Sequence, residues 1–242
     1  METKYILFII LSLVSEVVGT VSGFGSSILI VPLASLFFDF KTVLSITAIF
    51  HVFSNLSKLL LFNKGINKDI ALKLGIPAVL FVSIGAYLTA YIPAKNVELV
   101  IGICLVALSI FMFVNFNKEL RQTNRNLYLS GIFSGFIAGI AGSGGAIRGL
   151  ALAAFQLEKA AFIATSAIID LGVDLSRSFI YIYNGYFTKT YIYLIPFLIG
   201  TSFLGSYIGK LVLNRVSDKV FRYLVIIIVC IASIIQIVKH FN

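Results

Sequence analysis

Charge is what this sequence has least of. Only 12% of its 242 residues are Asp, Glu, Lys or Arg, while 59% are hydrophobic, and the mean hydropathy is +1.02. A soluble domain is about one quarter charged, and a chain this short cannot hide so much apolar surface in one water-soluble core. The scarcity of charge excludes the soluble class and makes lipid the solvent for most of the protein. Cysteine is scarce too: Cys104 and Cys230 both lie inside apolar runs, which excludes a disulfide-stapled secreted domain. Acidic residues are few, 10 against 19 Lys and Arg, for a net charge of +9. That excess does not point to nucleic acid, because no basic run is interleaved with an aromatic stacking platform. It reads as basic loops that orient a membrane protein. Also missing are a His/Cys/carboxylate set at metal spacing, a Ser-His-Asp order and a Gly-rich Lys-Ser/Thr phosphate loop. No cofactor is expected, and an ATP-driven pump by itself is excluded.

What is there in abundance is long apolar runs. A spanning helix needs about 20 apolar residues, and six segments reach that length: 42–62, 70–92, 97–116, 160–183, 190–212 and 220–239. Two further regions are broken. Residues 5–21 are apolar, 22–27 interrupt, and 28–38 are apolar again; 127–141 are apolar, 142–145 interrupt, and 146–157 follow. Each second piece would make about 17 Å of helix, half a bilayer. Lys4 and the run after it suit a signal peptide. However, Glu16 follows, no small-x-small cleavage site is clear, and the segment has a later counterpart, so it reads as retained.

That counterpart is the main feature of the organisation. A shift of 119 residues brings Gly23 onto Gly142, Gly25 onto Gly144, Asp39 onto Glu158, Leu56-Ser57 onto Leu175-Ser176 and Pro77 onto Pro196. With one inserted residue, Gly65 meets Gly185 and Gly85 meets Gly205. If each broken region is a hairpin that enters and returns, the halves are inverted. One side then holds 11 basic residues (Lys64, Lys68, Lys73, Lys118, Arg121, Arg125, Lys159, Lys210, Arg215, Lys219, Arg222) against 5 (Lys4, Lys41, Lys95, Lys189, Lys239). If each counts as one crossing, the halves are parallel and the split is 9 against 7. The sharper asymmetry favours inversion, with both termini outside. The expected fold is an all-α polytopic membrane protein of two homologous halves, residues 1–116 and 127–242, each a Gly-broken helix hairpin plus three spanning helices. The basic linker 117–126 between them is a cytoplasmic-loop candidate.

The breaks carry the chemistry. Irregular backbone at membrane depth is tolerated only where protein or a water-filled cavity satisfies it. Paired short, Gly-interrupted segments are the best sequence pointer to a transporter site. Short helices starting at the breaks would aim free N–H groups and a partial positive charge at an anion. Gly23, Gly25, Gly142, Gly144 and Gly145 allow close backbone approach, and Ser26, Ser27 and Ser143 can donate hydroxyl hydrogen bonds. Alternatively, the glycines serve only close helix packing. Arg148 falls in the first turn of the second short helix, where a cation is unfavourable unless something negative is near. A substrate anion would supply it; so would an ion pair with Glu16, Asp170 or Asp174. On the following helix His51, Asn55 and Lys58 share a face, and the repeat places Asp170, Asp174 and Arg177 at the equivalent positions. Ionisable groups inside a span face a bundle interior or cavity. These groups with Glu16 suit either proton coupling or ion pairing, such as Asp174 with Arg177 at i, i+3.

The pattern Gly19-x3-Gly23-Phe-Gly25-Ser-Ser-x4-Pro32-Leu, with its second copy Gly135-x3-Gly139-x2-Gly142-Ser-Gly144-Gly145, resembles the sulfite exporter TauE/SafE family, transporters of the 4-toluene sulfonate uptake permease type. The resemblance covers nearly the whole chain. It implies a multi-pass plasma-membrane transporter, bacterial or archaeal, of small anions such as sulfite, thiosulfate and sulfonates like sulfoacetate. The sequence departs from the pattern at Ser26-Ser27, which replace glycines, at Ala151, which stands where a proline would, and at Arg148 in a usually apolar position. Hydroxyls and a guanidinium both suit an oxyanion. The partners implied are the lipid bilayer, the anion and, for coupling, protons. The rival readings are an intramembrane hydrolase using Ser143 or His51 with Asp170, and a non-transporting membrane subunit.

Overall fold

The computed structural model describes residues 2–62, 65–93, 123–153 and 157–213, together with Ile103, Phe155, Arg215 and Val238. Among these residues there are helices and no strands. The expected spans 97–116 and 220–239, both cysteines and most of the linker 117–126 lie outside the described residues. Helix α1 is Thr3–Ser22, α2 Ser27–Ala34, α3 Phe40–Leu61, α4 Lys68–Leu88, α5 Asn124–Ala141, α6 Gly145–Ala153 and α7 Lys159–Tyr183. A 3-10 turn, Lys189–Leu194, leads into α8, Ile195–Leu213.

The boundaries follow local chemistry. Gly23 ends α1 and Gly142 ends α5, both left-handed at φ 67° and 70°, and each returns its N–H to the carbonyl four residues back. Glycine takes that conformation without a β-carbon penalty. Asp39 caps α3 by accepting from the backbone N–H groups of Lys41 and Thr42, and Asn67 and Thr123 cap α4 and α5 in the same way. The short helices end at Ala34 and Ala153, earlier than the apolar pattern suggests. After Ala34 the chain must turn so that Asp39 can take up its extended capping geometry. Helix α1, read from sequence as one arm of a broken region, is by itself 20 residues long.

Among the described residues, four helical segments are long and apolar enough to cross a membrane: Thr3–Ser22, Phe40–Leu61, Lys68–Leu88 and Lys189–Leu213. Helix α7 has the length but carries Asp170, Asp174 and Arg177. The exterior is apolar: Phe179, Leu60, Phe133 and Leu80 are 71%, 67%, 59% and 59% exposed. Six charged side chains (Glu16, Lys58, Arg148, Asp170, Asp174, Arg177) are buried. Apolar outside and charged inside is the arrangement of a multi-pass membrane protein, not of a water-soluble one.

Contacts fix the helix directions. Ser12 meets Thr201, Glu16 meets Ser206 and Thr20 faces Gly209, so α1 and α8 run the same way. Phe50 meets Ser202 and Leu61 meets Lys210, so α3 runs with α8. Gly131, Gly135 and Gly139 face Leu74, Ala78 and Val82, which aligns α5 with α4, and Ile169 and Gly172 on α7 face Gly75 and Val79. Between α3 and α7 the order reverses: Asn55 meets Asp174 while His51 meets Arg177. Thus α1, α3 and α8 point one way and α4, α5 and α7 the other. After α1 the chain doubles back: Gly19 packs on Ser26, and Phe38 lies against Phe8 and Tyr5.

Two apolar cores flank the centre. One gathers Tyr5, Phe8, Phe38, Phe50, Tyr181 and Leu198. The other joins α4, α5 and α7 through Leu74, Val82, Leu127 and Val173. The α4–α5 seam is built backbone to backbone, since a β-carbon at Gly131, Gly135 or Gly139 would overlap the carbonyl of Leu74, Ala78 or Val82.

Candidate functional site

The breaks and the polar stripe, far apart in sequence, converge on one internal cavity. The space in and around it is about 310 Å³, crevices between side chains and open solvent included. Its wall takes Gly25, Ser26 and Ser27 from the first break, and Gly142, Gly144, Gly145 and Arg148 from the second. The stripe supplies His51, Asn55 and Lys58 from α3, and Asp170, Asp174 and Arg177 from α7. Helices α2 and α6 both begin at this wall, so two partial positive charges point into it. A smaller cavity of about 220 Å³ adjoins it, sharing Gly25, Asn55, Lys58 and Asp170, and adding Gly19, Gly23, Ile163 and Ser166. Glu16 and Ser143 are buried but line neither cavity.

The glycines divide by role. Gly25 has φ 84° and a β-carbon there would have room. Gly144 and Gly145 are packed against the carbonyls of Ser134 and Phe24, so close packing accounts for both, with the cavity on their free side. The two tips touch, Ser143 Oγ donating to Ser27 Oγ across 3.5 Å. Ser26 sits at the start of α2 but does not cap it; its hydroxyl goes to Glu16 instead.

Among the described residues, every buried Lys and Arg has a carboxylate. Arg148 pairs with Asp170 through Nη2, Arg177 Nε donates to Asp174 Oδ1 at 2.7 Å, and Lys58 Nζ lies 2.9 Å from Glu16. Asn55 Nδ2 donates to the other oxygen of Asp174 at 2.7 Å. These two residues are 119 apart, so positions matched by the 119-residue shift meet each other.

The site is not fully satisfied. Arg148 Nε and Nη1 are buried without a hydrogen-bond partner among the described residues, and so is His51 Nε2. Arg177 Nη2 lies 3.0 Å from His51 Nδ1. A guanidinium can only donate, so Nδ1 accepts and the ring proton sits on Nε2. Three N–H donors on two residues of the cavity wall are therefore free. Orphaned buried donors are costly, and three facing one cavity call for an acceptor there, whether water or a ligand.

The sequence left Arg148 between substrate contact and an ion pair. The structure gives it the pair with Asp170 and still leaves two donors over. Sequence reasoning missed Ser54, which lines the cavity and bridges Lys58 to Glu16; its place between His51 and Lys58 on the same helix face was a usable signal. It also missed Ser206, which reaches Glu16 from α8 at 2.7 Å; nothing in the linear pattern marks it. Among the described residues no group of three His, Cys, Asp or Glu could hold a metal.

A family model described as Sulfite exporter TauE/SafE matches residues 7–235. No curated protein matches the chain.

Proposed function

Because the chain belongs to the sulfite exporter TauE/SafE family, a family of transporters and not of enzymes, we propose that it carries a small sulfur-containing anion through the central cavity. Sulfite, thiosulfate and organosulfonates such as sulfoacetate are the class. The observation that carries this reading is the set of free donors, Arg148 Nε and Nη1 and His51 Nε2. An oxyanion is the acceptor that fits two guanidinium N–H groups and an imidazole N–H between two helix N-termini.

Residues 1–116 and 127–242 act as inverted repeats about this site. The helix directions support this: α1, α3 and α4 each run opposite to α5, α7 and α8, their counterparts under the 119-residue shift. Basic residues support an orientation. At the end where α1, α3 and α8 finish stand Lys68, Lys73, Arg125, Lys159, Lys210 and Arg215; at the other stand Lys4, Lys41 and Lys189. The first end, with the linker 117–126, is cytoplasmic in the plasma membrane. The smaller cavity lies toward it, and so forms the inward approach. On the opposite side the way is shut: Arg177, the counterpart of Lys58, donates to Gly142 O at 2.8 Å, and Leu44 packs on Gly142. Alternating access exchanges these two arrangements.

Coupling to protons follows from the ion pair. An anion that engages Arg148 draws it from Asp170, and a proton on Asp170 restores neutrality. Glu16 and Asp174 keep the cations they pair with, Lys58 and Arg177; Asp170 is the carboxylate whose cation the anion engages.

Proteoliposomes holding the purified protein are expected to take up labelled sulfite, thiosulfate or a sulfonate in a saturable way, with mutual competition. Absence of flux for all three would overturn the reading. Single cysteines at Asn124 and Lys189, in a background lacking Cys104 and Cys230, are expected to react with impermeant thiol reagents from opposite faces. Reaction from one face would defeat the inverted arrangement.

A further inference from the structure

Glu16 is fully buried on α1, with 0% exposure, and it has more partners than an ion pair needs. Thr20, Ser26, Ser54 and Ser206 donate hydroxyl hydrogen bonds to it at 3.2, 2.8, 2.8 and 2.7 Å. Lys58 Nζ lies 2.9 Å from its Oε1 and donates to Ser54 Oγ at 2.8 Å. The oxygens come from α1, the tip before α2, α3 and α8. One carboxylate and several hydroxyls, with no nitrogen or sulfur ligand, form the donor set of a hard cation. Unwound backbone beside a broken helix is where transporters place such ions, and Ser26 belongs to such a break.

The cluster also breaks the repeat. The counterpart of Glu16 is Gly135, where any β-carbon would overlap Ala78's carbonyl. Asp170 with Arg148 and Asp174 with Arg177 sit on the wall of the central cavity; Glu16 stands behind it, and reaches the cavity only through Lys58, Ser26 and Ser54. A lysine in a spanning helix is expensive, and four hydroxyls already satisfy the carboxylate's lone pairs. What the cluster lacks without Lys58 is a positive charge.

We propose that this is an alkali-cation site whose ion is the protein's own Lys58 ammonium. The tethered charge holds the first tip to α1, α3 and α8 without a dissociable ion. The native protein therefore works without sodium, and removal of the ammonium turns the cluster into a sodium site. This inference goes beyond the anion reading and does not rest on it.

The test compares thermal unfolding of the purified full chain in sodium chloride and in choline chloride at equal ionic strength. Wild type is expected to shift by less than about 1 °C. Lys58→Met, which keeps the stem volume, is expected to rise saturably with sodium, by roughly 5 °C or more at 100 times the dissociation constant. Lys58→Met combined with Glu16→Gln is expected to lose that response. If Lys58→Met does not survive extraction in choline, recovery of folded protein in sodium is the expected result, and Lys58→Ala is scored in the same way. A wild type that responds to sodium as strongly as the variant would overturn the proposal. So would a Lys58→Met and a Lys58→Ala that sodium neither stabilises nor recovers. Failure of anion uptake leaves this readout untouched.

Discussion

Replacing Arg148 with alanine is expected to lower anion affinity by at least about 100-fold and to abolish measurable uptake. The guanidinium brings two unpartnered N–H groups to the cavity. Each hydrogen bond to a charged group contributes about 1.5–3 kcal/mol, and about 1.4 kcal/mol is tenfold in affinity, so two lost bonds give at least that factor. The substitution has a second effect: Asp170, 7% exposed, loses its cation. Breaking a buried pair from one side costs about 3–5 kcal/mol, so the single variant is expected to unfold earlier as well. Arg148→Gln with Asp170→Asn separates the two effects, because it removes both charges and leaves two neutral amides that can bond to each other. It is expected to recover most of the stability and none of the binding. Titration calorimetry with sulfite or thiosulfate, beside thermal unfolding, reads both. Wild-type affinity in the double variant would remove Arg148 from the site.

The second large effect lies away from the cavity. A glycine inside a helix costs about 0.5–1 kcal/mol relative to alanine, so glycine-to-alanine changes on a lipid-facing surface should stabilise. Gly200 on α8 has nothing within 4 Å of an added β-carbon, and Gly200→Ala is expected to gain about that much. At Gly135 the sign reverses. The added carbon overlaps Ala78's carbonyl and stands 2.7 Å from Ala78 Cα. Both obstacles are backbone, so no side chain can swing away and the helices must part. Overpacking costs about 1–3 kcal/mol and sometimes more; Gly135→Ala is expected at or beyond the upper end, and Gly135→Val not to fold. Unfolding midpoints in detergent compare the three. A Gly135→Ala protein as stable as wild type would show that the seam can open.

The helix breaks and the polar stripes were legible in the sequence. Glycine runs at 22–27 and 142–145 mark the breaks because few other residues tolerate the left-handed turns at Gly23 and Gly142. The stripes His51, Asn55, Lys58 and Asp170, Asp174, Arg177 show through because helical spacing puts each set on one face. Partner choice was not legible. Glu16, Asp170 and Asp174 all stood open to Arg148, and only the position of α6 against α7 selects Asp170. The hydroxyl shell of Glu16 was hidden for the same reason: Ser206 is an ordinary serine until α8 is laid along α1. The length of the first short helix was overread, because an apolar pattern does not register where the chain must turn so that Asp39 can cap α3.

The balance of the buried charges has an electrical consequence. Lys58, Arg148 and Arg177 are matched one for one by Glu16, Asp170 and Asp174. In the proposed cycle these three pairs shift no net charge when the halves exchange arrangements, and the membrane voltage does no work on them. A monoanion alone upsets the balance and couples its passage to the field by about 2.3 kcal/mol per 100 mV. A monoanion travelling with one proton restores it, and its flux becomes indifferent to voltage. An electrode across a planar bilayer would thus distinguish a monoanion carried alone, which gives current, from one carried with a proton, which gives none.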